Sequence, residues 1–156
     1  MNILLVSHDE EILARMDQSL QGEGYSMFRA RSREEAQREL NDRDIQVALV
    51  SSHLPEGSVQ DLVRAMRKIR SDQPLQVLLL AEIHEAAEVK KSVESGADDF
   101  IRMPYDPDEL QARTRAAQMR WESQASLVKE REFYRIAVAE EERLSSLVLD
   151  QARRKH

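Results

Sequence analysis

The chain has 156 residues, of which 41% are hydrophobic and 33% charged, and it carries a formal net charge of −6. This length suffices for one globular domain with an extension, and the acidic balance disfavours nonspecific binding to nucleic acid. The absence of cysteine excludes disulfides, thiolate metal sites and cysteine nucleophiles. The chain has no signal peptide and no apolar run of roughly 18 residues that would span a membrane. We therefore expect a cytoplasmic protein without a membrane partner.

Five short runs with the pattern of strands recur along the chain, at residues 3–6, 25–30, 47–50, 77–81 and 100–101, and the second of them is more weakly patterned than the rest. Apolar residues at helical spacing, such as Leu13, Met16 and Leu20, follow the runs. This alternation predicts an α/β fold with a parallel sheet and helices on both faces. The third run is apolar throughout, as in a central strand, and ligands of such sheets bind beyond the carboxyl ends of the strands. We therefore expect any chemistry to begin at Ser51.

Helix boundaries are marked by capping residues. Ser32 and Glu35 have the spacing of a capping box, and Gly96 is a plausible C-terminal stop. Asp106 and Pro107 supply an N-cap and a proline at the first position of a last helix.

No glycine or proline follows Pro107, so the last helix can continue to the end of the chain. We predict a domain over residues 1–120 and a helical extension over residues 121–156. The extension carries an apolar stripe, interrupted by Glu130 and Glu141, that is typical of a coiled coil or signalling helix. Packing against a partner helix is favoured over a monomeric helix, and a homodimer is expected. The stripe consists of Leu127, Tyr134, Ala137 with Val138, Leu144 and Val148.

Residues 96–110, which read GADDFIRMPYDPDEL, resemble the receiver domain of two-component response regulators. The strings ILLVSHDEEIL and VALVSSHLPEGS stand in the order and at the distances that the family shows, and the resemblance covers roughly residues 1–120. It implies a flavodoxin-like, doubly wound sheet of five parallel strands in the order 2-1-3-4-5. It also implies a cis bond between Met103 and Pro104.

Receivers transfer a phosphoryl group from a phosphohistidine to an aspartate at the end of the third strand. This chemistry requires a carboxylate nucleophile, an acidic pair that holds magnesium, a lysine and a hydroxyl residue. The resemblance places Ser51 at the nucleophile, Ser7 and His8 at the acidic pair, Leu80 at the hydroxyl residue and Met103 at the lysine. Because all five groups are missing, we predict a degenerate pseudo-receiver that is independent of phosphorylation, is not an enzyme, and has no catalytic residue and no cofactor.

Protein partners are expected instead. Receivers commonly dimerise through the fourth helix, fifth strand and fifth helix, which indicates a surface from Lys91, beside Glu88 and Lys90, to Arg113. Phe100 stands at the family's aromatic switch position.

Two other hypotheses remain open. His8, Asp9 and His53 form a weak candidate ligand set, so the vacated site could serve a metal, pH or small-ligand sensor. The chain could also be the N-terminal regulatory region of a larger output enzyme. Ser51 as an unusual nucleophile is disfavoured, because no nucleophile elbow surrounds it.

Overall fold

The structure is a computed structural model, and residues 1–52, 54, 59–82 and 86–154 are described. Strands and helices alternate through these ranges, as the apolar runs predict. The elements are β1 (Asn2–Val6), α1 (Glu10–Ser19), β2 (Ser26–Ala30), α2 (Arg33–Asp42), β3 (Val47–Ser51), α3 (Val59–Ile69), β4 (Gln76–Ala81), α4 (Ala86–Glu94), β5 (Asp99–Arg102) and α5 (Pro107–Arg154).

The five strands form one parallel sheet in the order β2-β1-β3-β4-β5, which confirms the predicted flavodoxin-like topology. The register aligns the strand ends at which chemistry was expected. Val6 pairs with Val50, Ser51 pairs with Leu80, and Leu80 pairs with Ile101.

The core lies on both faces of the sheet because every residue of β3 and β4 is buried and successive side chains point to opposite faces. On one face, Ala48, Val50 and Leu79 belong to a cluster with residues of α2 and α3. The other face joins Leu49 and Leu80 to residues of α1 and α5. Helices on both faces of the sheet therefore hold the strands in place.

The predicted caps are present. The Ser32 hydroxyl accepts a hydrogen bond from the Glu35 N–H at 3.1 Å, while the Glu35 carboxylate accepts from the N–H of Arg31, one residue before the cap. Gly96 follows α4 with a φ of 91°, a left-handed conformation that glycine adopts without strain. The Asp106 carboxylate accepts from the Asp108 N–H at 2.8 Å, at the start of α5.

Helix α5 is 48 residues long, and the chain divides into two compact units, Met1–Glu122 and Ser123–His156. In the first unit Leu110 and Ala117 are buried. Arg120 Nε donates to Gln76 Oε1 at 2.8 Å, and Trp121 Nε1 donates to the carbonyl of Pro74 at 2.9 Å. These bonds join the first part of α5 to the start of β4 and to the segment that precedes it.

Among the described residues, no helix combines the length and the apolar character needed to span a membrane.

Candidate functional site

The candidate site lies where β1, β3, β4 and β5 end at the same edge of the sheet. Ser7, directly after β1, is fully buried, and its hydroxyl accepts a hydrogen bond from the N–H of Asp9 at 3.1 Å. Its own N–H donates to the carbonyl of Ala30 at 3.1 Å. Ser7 thus fixes the turn between β1 and α1.

Ser51, the last residue of β3, is also fully buried. Its neighbour across the sheet is Leu80, which is fully buried in the cluster with Leu49 and Ile101. The N–H of Ser52 donates to the carbonyl of Leu80 at 2.8 Å, so the backbone there is held close to β4. The side chain beside Ser51 on β4 is therefore an aliphatic one without a hydrogen-bonding group.

Met103 follows β5 at the position that the resemblance assigns to the lysine. Its side chain is half-buried and packs on the cluster that contains Leu80, and its N–H donates to the carbonyl of Ala81 at 3.0 Å. The bond between Met103 and Pro104 is cis, as the resemblance implies. The fold therefore places the thioether of Met103 near the edge of the sheet at which these strands end.

The structure describes two residues of the weak ligand set, His8 and Asp9. His8 is exposed, and Asp9 caps α1, because its carboxylate accepts from the N–H of Glu11 at 2.8 Å. His53 lies outside the described residues. Within the described ranges, no group of three or more histidines and carboxylates has the arrangement of a metal site.

A groove of about 880 Å³ adjoins this edge, between α1, the end of β4 and the segment from β5 to α5. Its walls combine carboxylates and polar groups with the apolar Ile12, Met103 and Pro104. Tyr105 also lines it, and burial raises the pKa of its phenol, an effect that the Ser19 hydroxyl and the Arg15 charge partly oppose.

Sequence reasoning missed this groove because its walls come from three separate segments. The one feature of the sequence that could have indicated the groove was the amphipathic pattern of α1, in which Ile12 lies beside charged residues. Across one wall, Gln111 Nε2 of α5 donates to the carbonyl of Ser19 at 2.8 Å and links α5 to α1.

Part of the predicted receiver surface already forms contacts within the chain. Lys91 is exposed on α4. Arg113 on α5 contacts Glu109 at 3.0 Å and Asp99 at 3.1 Å, and hydrogen bonds to Glu109 and then Asp99 raise the pKa of its guanidinium. Phe100 is half-buried and packs against the cluster on the face of α2 and α3. Of this set, Lys91 is the cation most available to a partner.

The stripe residues of the second unit are exposed. Around them lie further exposed large apolar side chains that the predicted stripe did not include, namely Val128, Phe133, Ile136, Leu147 and Leu149. The exposed fractions in the stripe are 60% for Leu127, 65% for Tyr134, 52% for Val138, 53% for Leu144 and 66% for Val148.

Comparison with known proteins agrees with this fold. The response regulator receiver domain family matches residues 3–115. The KDP operon transcriptional regulatory protein KdpE of Escherichia coli is 28% identical over 116 residues, which cover 74% of this chain and 50% of that protein. A cyclic di-GMP phosphodiesterase of Thermotoga maritima is 34% identical over 114 residues, which cover 72% of this chain and 30% of that protein.

Solved structures show the same architecture. A CheY-like response regulator receiver domain protein from Methanospirillum hungatei superposes with a TM-score of 0.70 at 24% identity, covering 78% of this chain and 96% of that one. The receiver domain of an HD domain-containing protein from Pseudomonas fluorescens gives a TM-score of 0.71 at 25% identity, covering 78% and 97%. This chain spans about half or less of the curated relatives' length. The family model matches most of the chain, including the sheet and its strand ends. The chain therefore belongs to the response regulator receiver domain family of two-component signalling.

Proposed function

We propose that this receiver acts without phosphorylation, as a pseudo-receiver that works through protein contacts. The observation that supports this most directly is the pairing of a fully buried Ser51 with a fully buried Leu80 at the strand ends. Phosphoryl transfer to an aspartate needs a carboxylate nucleophile and charged groups around the transferred oxygens. Neither Ser51 nor Leu80 supplies a charge.

The magnesium that phosphoryl transfer requires gives a second argument for a receiver that acts without phosphorylation. Magnesium is usually held by one or two carboxylates together with phosphate oxygens. Ser7 and His8 occupy the acidic positions, and the carboxylate of the adjacent Asp9 caps α1. The thioether of Met103 replaces the ammonium that would neutralise the phosphoryl group.

Intact-mass measurement with magnesium and a small phosphodonor tests this proposal. We expect no phosphoryl adduct on the native chain. The control is a variant that regains the missing groups, with Ser7→Asp, His8→Asp, Ser51→Asp, Leu80→Thr and Met103→Lys, checked by circular dichroism, together with an active receiver. A magnesium-dependent mass gain on the native chain would contradict the proposal.

Self-association through the last helix is the second part of the proposal. The stripe of the second unit leaves several large apolar side chains more than half exposed. Apolar surface of this kind is stabilised when a partner removes it from water. A second copy carries the same stripe, so the proposed partner is another molecule of this chain.

The receiver surface from Lys91 to Arg113 is an alternative site of self-association. Arg113→Glu would place a third carboxylate beside Asp99 and Glu109 and disturb the unit itself. Lys91→Glu is the cleaner test, because Lys91 is exposed. If this surface holds two copies together, Lys91→Glu weakens self-association in sedimentation equilibrium, whereas unchanged association removes this surface and favours the last helix.

A sensor function is an alternative that the groove beside His8 and Asp9 favours. It predicts a thermal shift with a divalent transition metal that is lost in the double variant His8→Ala, His53→Ala. No shift with any such metal would argue against a metal sensor.

A regulatory role within a longer protein is another alternative. It is favoured because this chain spans 50% of a transcriptional regulatory protein and 30% of a phosphodiesterase. The intact mass of the protein isolated from its native cells tests this idea. A mass well above 18.0 kDa supports an attached output domain, and a mass of 18.0 kDa argues against one.

A further inference from the structure

The stripe contains two glutamates at positions that a coiled coil normally fills with apolar residues. Neither Glu130 nor Glu141 forms an ion pair with the described part of the chain. By contrast, Glu132 contacts Arg135 at 2.9 Å, and Glu140 contacts Arg143 at 3.0 Å. Residues spaced by three and four form the core seam of a heptad pattern. The first seam position is occupied by Leu127, Tyr134, Glu141 and Val148, and the second by Glu130, Ala137, Leu144 and Gln151.

Parallel pairing in register would oppose identical residues. Each Glu141 would face Glu141 of the second copy, and each Glu130 would face its own counterpart. Like charges in a partly dehydrated layer repel each other more strongly than they do in water. A parallel homodimer would therefore contain two repulsive layers among its eight seam layers.

Antiparallel pairing opposes first positions with second positions and avoids this repulsion. When Tyr134 faces Leu144 of the second copy, Glu141 faces Ala137, the smallest side chain of the seam. In the same alignment Glu130 faces Val148 and Leu127 faces Gln151. All eight seam positions are used, and no layer holds two glutamates.

The flanking residues fit this alignment as well. Phe133 approaches Leu147 of the second copy, which covers two side chains that are more than half exposed in the single chain. The two Glu140 side chains meet near the centre, but each already contacts Arg143 of its own chain at 3.0 Å. That ion pair offsets part of their mutual repulsion.

We propose that residues 127–151 pair with the same residues of a second copy in the antiparallel direction. This inference rests on the proposed self-association through the last helix. It adds the direction of pairing, and it gives Glu130 and Glu141 the role of disfavouring the parallel arrangement.

Distances between spin labels test the direction, and the absence of native cysteine allows a single label at Ser126→Cys. Ser126 is exposed and lies outside the seam. In the antiparallel pair, residue 126 lies opposite residue 152, so the two labels are separated by about 40 Å along the axis. Parallel helices, whose axes lie close together, would bring the labels within roughly 20 Å.

A short label distance in a dimer would overturn the antiparallel inference while leaving self-association intact. A monomer at every concentration in light scattering would instead overturn the self-association on which it rests.

Replacing Glu141 tests its role in the same molecule. Glu141→Leu removes one of the two like-charge layers of the parallel pair and adds an apolar side chain to the seam, so we expect dimerisation to strengthen by about tenfold or more and a short-distance population to emerge. The matched control is Glu142→Leu, an exposed glutamate about 100° further around the helix, which should change dimerisation by less than about twofold. Equal effects of the two substitutions would overturn the proposed role of Glu141.

Discussion

Strand β4 and the helical segment 127–149 both carry closely spaced leucines and valines, but only β4 buries them within its own chain. Leu78 and Leu80 are fully buried between helices on both faces of the sheet. In the helical segment, the exposed fraction of leucines and of Val148 lies between 52% and 66%. The first region is therefore self-sufficient, whereas the apolar surface of the second becomes stabilising only when another molecule covers it.

The same substitution in the two regions should show the largest difference. Leu78→Ala leaves a cavity in the sheet core and should lower the free energy of unfolding by about 2–5 kcal/mol. Leu149→Ala, at an exposed position outside the seam, should change it by less than about 0.5 kcal/mol. Urea unfolding followed by Trp121 fluorescence measures both. Equal losses would contradict the distinction between the regions.

Trp121 locates the end of the self-sufficient region. Its indole donates to the carbonyl of Pro74 at 2.9 Å, so Trp121→Phe should cost about 1 kcal/mol through the lost hydrogen bond. Urea unfolding followed by circular dichroism gives the value. Ile136→Leu, at an exposed apolar position outside the seam and 15 positions further along α5, is the control and should be nearly neutral. If both variants cost the same, the anchoring role of Trp121 is wrong.

Tyr105 should have the smallest effect, confined to alkaline pH. Burial raises the pKa of its phenol above the ordinary 10.0, so the unfolded chain releases this proton first as the pH rises. The associated stability is present below pH 10 and is lost as the pH rises through the folded pKa. Tyr105→Phe should therefore reduce the loss of stability between about pH 9 and about pH 11 in urea titrations. Identical pH profiles for the two proteins would contradict this.

The sheet was predictable because its signal is local and repeated. β1, β3 and β4 are built on short apolar runs, and the register that pairs Ser51 with Leu80 follows from strands that end at one edge. The positions of Ser7 and Met103 followed from the family resemblance, since each stands at a fixed distance from a strand end. The long α5 was predictable because nothing after Pro107 interrupts a helix.

The contacts that sequence reasoning missed join residues far apart in the chain. The bond from Gln111 to Ser19 and the bond from Trp121 to Pro74 depend on how α5 packs on the sheet unit. The pairing of Arg113 with Asp99 likewise requires the relative position of β5 and α5. Apolar periodicity does not specify such side-chain contacts, and the groove along α1 arises from the same packing.

The central claim, that the helical segment and not the receiver unit holds two copies together, is tested most directly by light scattering over a concentration series. The samples are the whole chain and a version that ends at Glu122, a cut that keeps the buried Ala117 and the hydrogen bonds of Arg120 and Trp121. We predict a dimer for the whole chain and a folded monomer for the shortened one. A shortened chain that dimerises as strongly as the whole chain would place the assembly on the receiver surface and contradict the account.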